Sequence, residues 1–228
     1  MFACNSLHII FLVSWRPENP DLITAQIETK PSAIAHFPAN RPEQLCNNKA
    51  VNSYFRQSLL IAAAFIALLW VIELLDRGLS LQLYRFGVYP QAAGGLPGIL
   101  LAPLIHGSWY HLVSNSFALL VLGTALLYGY PRAAKPALAL VYIGSGIGVW
   151  LFARNSYHFG ASGLTHGVMF FIFTTGILRR DKLSIALALI VFLLYGNMVW
   201  SIFPQEPDIS YESHFFGAVT GVLAAFLF

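Results

Sequence analysis

The sequence predicts an all-α polytopic membrane protein, a bundle of six transmembrane helices with both ends on the cytoplasmic side (N-in, C-in). Three observations predict it. Of the 228 residues, 57% are hydrophobic and 10% charged, against roughly 25% charged in a soluble domain. Six apolar segments approach the roughly 20 residues that a hydrocarbon core of about 30 Å requires of a helix. The basic residues flanking those segments gather on one set of alternate connections, the asymmetry that orients membrane proteins.

The chain divides near residue 50. Residues 1–57 hold nine charged residues, and the three-times-longer remainder holds fourteen. The early apolar run Leu7 to Trp15 is too short to span, and it lacks the basic flank and small-residue cleavage site of a signal peptide. Pro17, Pro20, Pro31, Pro38 and Pro42 follow among scattered charges with no helical or strand period, a composition that cannot bury a core. Residues 1–50 are therefore expected to be a disordered tail or an over-extended translation start, and residues 51–228 the membrane domain.

The six expected spans are Leu59 to Leu75, His111 to Tyr128, Ala137 to Phe152, Ser162 to Leu178, Leu183 to Phe203, and His214 to Phe228. Turn-forming residues separate them: Gly94-Gly95 and Pro97-Gly98, Pro131 and Pro136, then Pro204 and Pro207. With the N-terminus inside, the inner side collects Lys49, Arg56, Arg132, Lys135, Arg179, Arg180 and Lys182, and the outer side only Arg77, Arg85 and Arg154. Trp70, Trp109, Trp150 and Trp200 then lie near outer helix ends, where indoles favour the interface. No internal repeat is present, which disfavours a duplicated transporter.

The net charge of +3 comes with no basic stripe, so nucleic acid is not an expected partner; the lipid bilayer is. Cys4 and Cys46 sit in no Cys-x-x-Cys or Cys/His spacing, and there is no His-Glu-x-x-His. Neither metal nor cofactor is expected.

Polar side chains inside a bilayer are costly and mark sites. His111, Asn115, Ser162, His166 and His214 stand out, and all but His166 fall within about one turn of a predicted outer helix end. Ser162, in Gly160-Ala161-Ser162-Gly163, is either an ordinary N-cap or a nucleophile at a helix start whose N–H groups could hold an oxyanion. Gly163 and Gly167 match the spacing of Gly217 and Gly221 on the last span, so two small-residue faces could pack and bring Ser162 against His214. That histidine is then either a structural bridge between helices or the base that a serine hydroxyl needs. His111 and Asn115, four apart on one helix face, are either interhelical glue or oxyanion donors.

Taken together, His106-x4-His111-x3-Asn115, Gly160-x-Ser162-Gly163, and His214 followed by Gly217 and Gly221 resemble the rhomboid family of intramembrane serine proteases over residues 55–228. The stretch Leu101 to Trp109, together with Tyr195-Gly196, Trp200, Pro204 and Glu212, is similar to one bacterial subgroup. The resemblance implies a six-helix bundle with Ser162 as nucleophile and His214 as base, and an oxyanion held by Asn115, His111 and the Ser162 N–H. It implies a multi-pass protein of the bacterial inner membrane that cleaves transmembrane protein substrates near the outer face. The alternative is a proteolytically inactive relative that binds membrane clients. Two positions depart from the family pattern. Leu96-Pro97-Gly98 stands where many members carry a Trp-Arg pair, and His166 stands where a tyrosine or phenylalanine usually packs beside the base. His166 is expected to substitute in that packing.

Overall fold

The computed structural model describes residues 42–204 and 209–228 of the chain. Most of the expected N-terminal tail lies outside these residues. Among the described residues there are seven α-helices and no strand beyond an isolated antiparallel bridge between Val88 and His158. The helices are α1 (Pro42–Leu79), the single turn α2 (Gly98–Leu101), α3 (Trp109–Gly129), α4 (Ala134–Phe152), α5 (Ser162–Arg179), α6 (Lys182–Tyr195) and α7 (Tyr211–Leu227).

Four of the apolar helical stretches are long and apolar enough to cross a membrane: Val51–Leu79, Trp109–Gly129, Ala134–Phe152, and Lys182–Ile202, in which a 3₁₀ turn (Gly196–Ile202) continues α6. This is a multi-pass membrane protein. The two other long helices fall short of the six-span expectation for a physical reason. α7 has 17 residues, and α5 carries Ser162, Thr165, His166, Thr174 and Thr175 along its apolar length. These two are the inner helices, so they lack the uniformly apolar surface that lipid demands. α1 starts at Pro42, inside the stretch expected as tail, and at 38 residues it extends about 57 Å, well past one hydrocarbon core.

α5 is the centre of the bundle and packs on α3, α4, α6 and α7. Its buried face includes Leu164, Val168, Phe171 and Ile172, which meet Leu112, Leu119, Leu122 and Leu126 of α3 in the main core. α6 is lightly held: it buries only Ser184, Ala188 and Val191, and turns Leu189, Leu193 and Leu194 outward. Its packing on α5 is closest where Gly176 faces Ala188 and Ser184, and Tyr195 reaches α3 by donating its hydroxyl to the Phe117 carbonyl (3.2 Å).

The closest helix contact is between α5 and α7, where the two glycine faces meet as the spacing predicts. A Cβ on Gly217 would run into the Gly163 carbonyl, and one on Gly221 into the Gly167 carbonyl. Hydrogen in place of a methyl lets the backbones touch, which in lipid replaces the missing hydrophobic drive between helices. α4 packs on the neighbouring face of α7 through Gly144 against Thr220 and Gly148 against Phe216.

Residues 80–108 form a long connection that is folded rather than loose. The Val88–His158 bridge has both hydrogen bonds at 2.9 Å, Gln91 N–H donates to the Trp150 carbonyl (2.9 Å), and Gly160 N–H donates to the Ala102 carbonyl (2.8 Å). The connection thus clasps the segment leading to Ser162. Its far end is fixed by α1. Buried Glu73 pairs with Arg77 at 2.8 Å, whose guanidinium donates to the Gly107 carbonyl (2.8 Å) and lies over Trp109. Trp70 donates to the Ser116 hydroxyl (3.0 Å).

Alanine usually stabilises a helix relative to glycine, but at Gly217 and Gly221 the sign reverses. Gly217→Ala and Gly221→Ala should each lower stability by about 1 to 3 kcal/mol through overpacking, read as a lower Tm in detergent. Gly94→Ala, where a Cβ meets nothing within 4 Å, should leave Tm unchanged. Equal Tm values for all three would mean that the contact between α5 and α7 is not close.

Candidate active site

Ser162 is the first residue of α5, so it is not the residue that caps the helix. An N-cap serine would precede the helix and bond its N–H groups, but the cap position is Ala161 and no side chain caps α5. By contrast α3, α6 and α7 are each capped, by Ser108, Asp181 and Ser210. The positive end of α5 therefore keeps N–H groups that no side-chain cap occupies, beside a serine hydroxyl. Gly160 makes the entry possible. Its φ of +118° suits glycine alone, and a Cβ there would strike the His111 ring.

His214 is buried, 8% exposed, in the first turn of α7. Its Nδ1 lies 2.9 Å from the Ser201 carbonyl. A carbonyl only accepts, so Nδ1 carries the proton and the neutral ring keeps its lone pair on Nε2. That is the tautomer a general base requires. Among the described residues no hydrogen bond joins the Ser162 hydroxyl to His214. The two residues are linked through His166, whose Nδ1–H donates to the Ser162 carbonyl (2.7 Å) and whose ring stacks on His214 at 4.0 Å with planes 8° apart. His166 thus takes the stacking position as expected, and its bond goes to the backbone of Ser162 rather than to its hydroxyl.

The α3 pair sits across from this. His111 lies against Gly160, and its N–H is capped by the Ser108 hydroxyl (3.1 Å). Asn115, one turn on, is 5% exposed, and among the described residues its amide nitrogen has no hydrogen-bond partner. A buried donor without a partner costs about 1 to 3 kcal/mol, so such groups are rare in folded proteins. His106 is also buried, its ring edge-on to His111 at 5.1 Å, and among the described residues neither ring nitrogen has a hydrogen-bond partner. Burial, with His111 alongside, pushes the His106 imidazole down to about 3.

A second cluster fixes the start of α7, and the sequence did not single out its central member. His158 is buried; its Nε2–H donates to the Arg154 carbonyl (2.9 Å), so its Nδ1 accepts from the Ser210 hydroxyl (2.7 Å). Ser213 in turn donates to Ser210 (2.7 Å). Arg154 donates to the Ile209 carbonyl (2.6 Å) and lies 3.4 Å from Glu212. Glu212 is buried and helps to hold the connection two residues before His214. Ser201 was likewise missed. The signal for His158 was a histidine two residues before Gly160, but for Ser201 the working group is a backbone carbonyl, which no residue type announces. Among the described residues no group of three or more His, Cys, Asp or Glu side chains is placed to hold a metal ion.

The sequence profile of the Rhomboid domain matches residues 93–228. An uncharacterized protein of Mycobacterium tuberculosis is 36% identical over 173 residues, covering 72% of each chain, and one of Mycobacterium leprae is 34% identical over 173 residues, covering 72% of this chain and 68% of its own. The chain belongs to the rhomboid family. That family is generally one of intramembrane serine proteases and includes inactive members.

The buried His106 carries a pH signature. Its folded value of about 3 lies below the unfolded 6.5, so as pH falls through 6.5 the unfolded chain gains a proton that the folded one refuses, and stability drops progressively toward pH 3. His106→Phe removes this component. The Tm loss in detergent between pH 7.5 and 4.5 should be smaller in the variant than in the parent; equal losses would mean that His106 is solvated.

Proposed function

We propose that this rhomboid protein is a serine endopeptidase that cleaves transmembrane segments of single-span membrane proteins near the outer face of the membrane. The observation that carries the reading is the His214 tautomer: Nδ1–H is committed to the Ser201 carbonyl, leaving a basic Nε2 on the helix packed by glycine against the one that Ser162 begins. Ser162 Oγ attacks the scissile carbonyl while His214 Nε2 takes its proton. The tetrahedral oxyanion is held by the Ser162 N–H at the uncapped helix start, the Asn115 amide and His111. Collapse breaks the C–N bond, the leaving amine takes the proton from His214, and water then hydrolyses the acyl-enzyme by the same route. A helical backbone is fully paired and cannot be attacked, so substrates are segments that Gly or Pro makes easy to unwind.

A second reading, an inactive relative that binds membrane clients, is favoured by one observation, the lack of a hydrogen bond between Ser162 and His214 among the described residues. Catalytic hydrogen bonds in unliganded sites are often long and tighten with substrate, so we take the first. In proteoliposomes holding a single-span substrate, Ser162→Ala and His214→Ala should each abolish cleavage while the bundle stays folded. Asn115→Ala should lower kcat by about 10²-fold or more. Cleavage by a folded Ser162→Ala variant, or none by the parent, would overturn the protease reading.

We place six crossings with both ends inside, in the bacterial inner membrane, and the site toward the outer side. The basic residues, seven inside against Arg77, Arg85 and Arg154 outside, support this order. With Cys4 and Cys46 changed to serine, a cysteine at exposed Gly94 should react with an impermeant thiol reagent in intact cells and one at exposed Lys182 should not. The reverse pattern would invert the topology.

A further inference from the structure

We infer that His166 and Ser201 are positioning residues for His214: together they clamp the 3₁₀ turn whose carbonyl fixes the working tautomer of the base. The inference rests on the serine-protease reading. A Ser-His-Asp site orients its histidine with a buried carboxylate. Here the acceptor is a neutral backbone carbonyl, that of Ser201, and it is only as well placed as the segment that carries it.

That segment, Gly196–Ile202, has no buried residue and continues the helix with the fewest buried residues of the long helices whose burial is described. Trp200 beside Ser201 is 64% exposed. Left to itself such a turn is drawn from the low-stability end of a structure. His166 supplies the restraint. Its Nε2 lies 2.8 Å from the Ser201 hydroxyl and 3.3 Å from the Met198 carbonyl, while its Nδ1–H holds the Ser162 carbonyl at 2.7 Å. With Nδ1 protonated, Nε2 is the acceptor and Ser201 the donor; the same hydroxyl lies 2.7 Å from the Met198 carbonyl, so the turn's own i−3 bond competes for that proton. One side chain therefore ties together the residue that carries the nucleophile, the ring of the base and the turn that orients the base. Phenylalanine at this position would give the stack on His214 and not the bond to the turn.

The test uses the full chain, with kcat and KM for a single-span substrate in proteoliposomes and, separately, the histidine side-chain ¹⁵N spectrum in micelles, with the His214 signals assigned by their loss in His214→Ala. Ser201→Ala removes the hydroxyl and keeps the carbonyl, Ser201→Thr keeps both, and His166→Phe keeps the stack alone. Ser201→Ala and His166→Phe should each lower kcat about tenfold or more, within the range a general base contributes, with KM within about twofold. The double variant should be no slower than the slower single one, because both remove the same clamp. Ser201→Thr should restore parental kcat. In the ¹⁵N spectrum His214 should pass from an Nδ1–H tautomer in the parent to a tautomer mixture in Ser201→Ala and His166→Phe. Unchanged kcat with an unchanged tautomer, multiplicative losses in the double variant, or failure of Ser201→Thr to rescue would overturn the clamp. If the parent shows no Ser162-dependent cleavage, the protease reading falls, and the ¹⁵N pattern alone decides whether His166 and Ser201 hold the His214 tautomer.

Discussion

Everything at the candidate site depends on two helices being able to touch backbone to backbone. α5 and α7 meet at Gly163 with Gly217 and at Gly167 with Gly221, where the carbonyls of one helix occupy the space a side chain would need on the other. In lipid the hydrophobic effect does not drive helices together, so close packing of small residues is what sets their spacing. That spacing puts the first turn of α7, with His214, beside the first turn of α5, with Ser162. A methyl group on either face would push the helices apart and carry the two residues with them.

Around this contact the molecule is built to hold one end of α5 still. The long connection 80–108 bonds to the segment before Ser162 at Val88 and Ala102, and α1 holds its far end through Glu73, Arg77 and the Gly107 carbonyl. His158, Arg154 and Glu212 pin the start of α7 from the other side. A lightly held element, α6 with its 3₁₀ continuation, supplies the acceptor for His214. Rigidity and looseness therefore meet at one hydrogen bond, between a base on a fixed helix and a carbonyl on a lightly held turn.

A histidine at position 166, where the family resemblance implies tyrosine or phenylalanine, fits this division. A flat ring against His214 keeps the imidazole plane fixed, which tyrosine, phenylalanine and histidine all do. Only histidine here also bonds the Ser162 carbonyl and the Ser201 hydroxyl. An intramembrane polar group with both ring nitrogens hydrogen-bonded carries little of the penalty that makes such residues rare.

The sequence by itself determined what depends on local pattern. Hydropathy located the long apolar helices, since lipid solvates every outward residue alike, and the i, i+4 spacing of Gly163, Gly167, Gly217 and Gly221 named the facing surfaces, since helix geometry converts that spacing directly into one face. The same reading chose His111, Asn115, Ser162 and His214, because polar residues in an apolar run are conspicuous. It placed the start of α1 too late, because the charges and amides after Pro42 resemble a solvated tail until a helix is built through them. Other features were decided only by tertiary structure. That Ser162 stands inside the helix rather than capping it depends on the turn at Gly160; that Asn115 has a buried amide with no partner depends on what the other helices bring near it; and that His214 is oriented by Ser201 depends on a carbonyl thirteen residues away, a group every residue possesses. Such relations join atoms far apart in the chain, and residue type carries no trace of them.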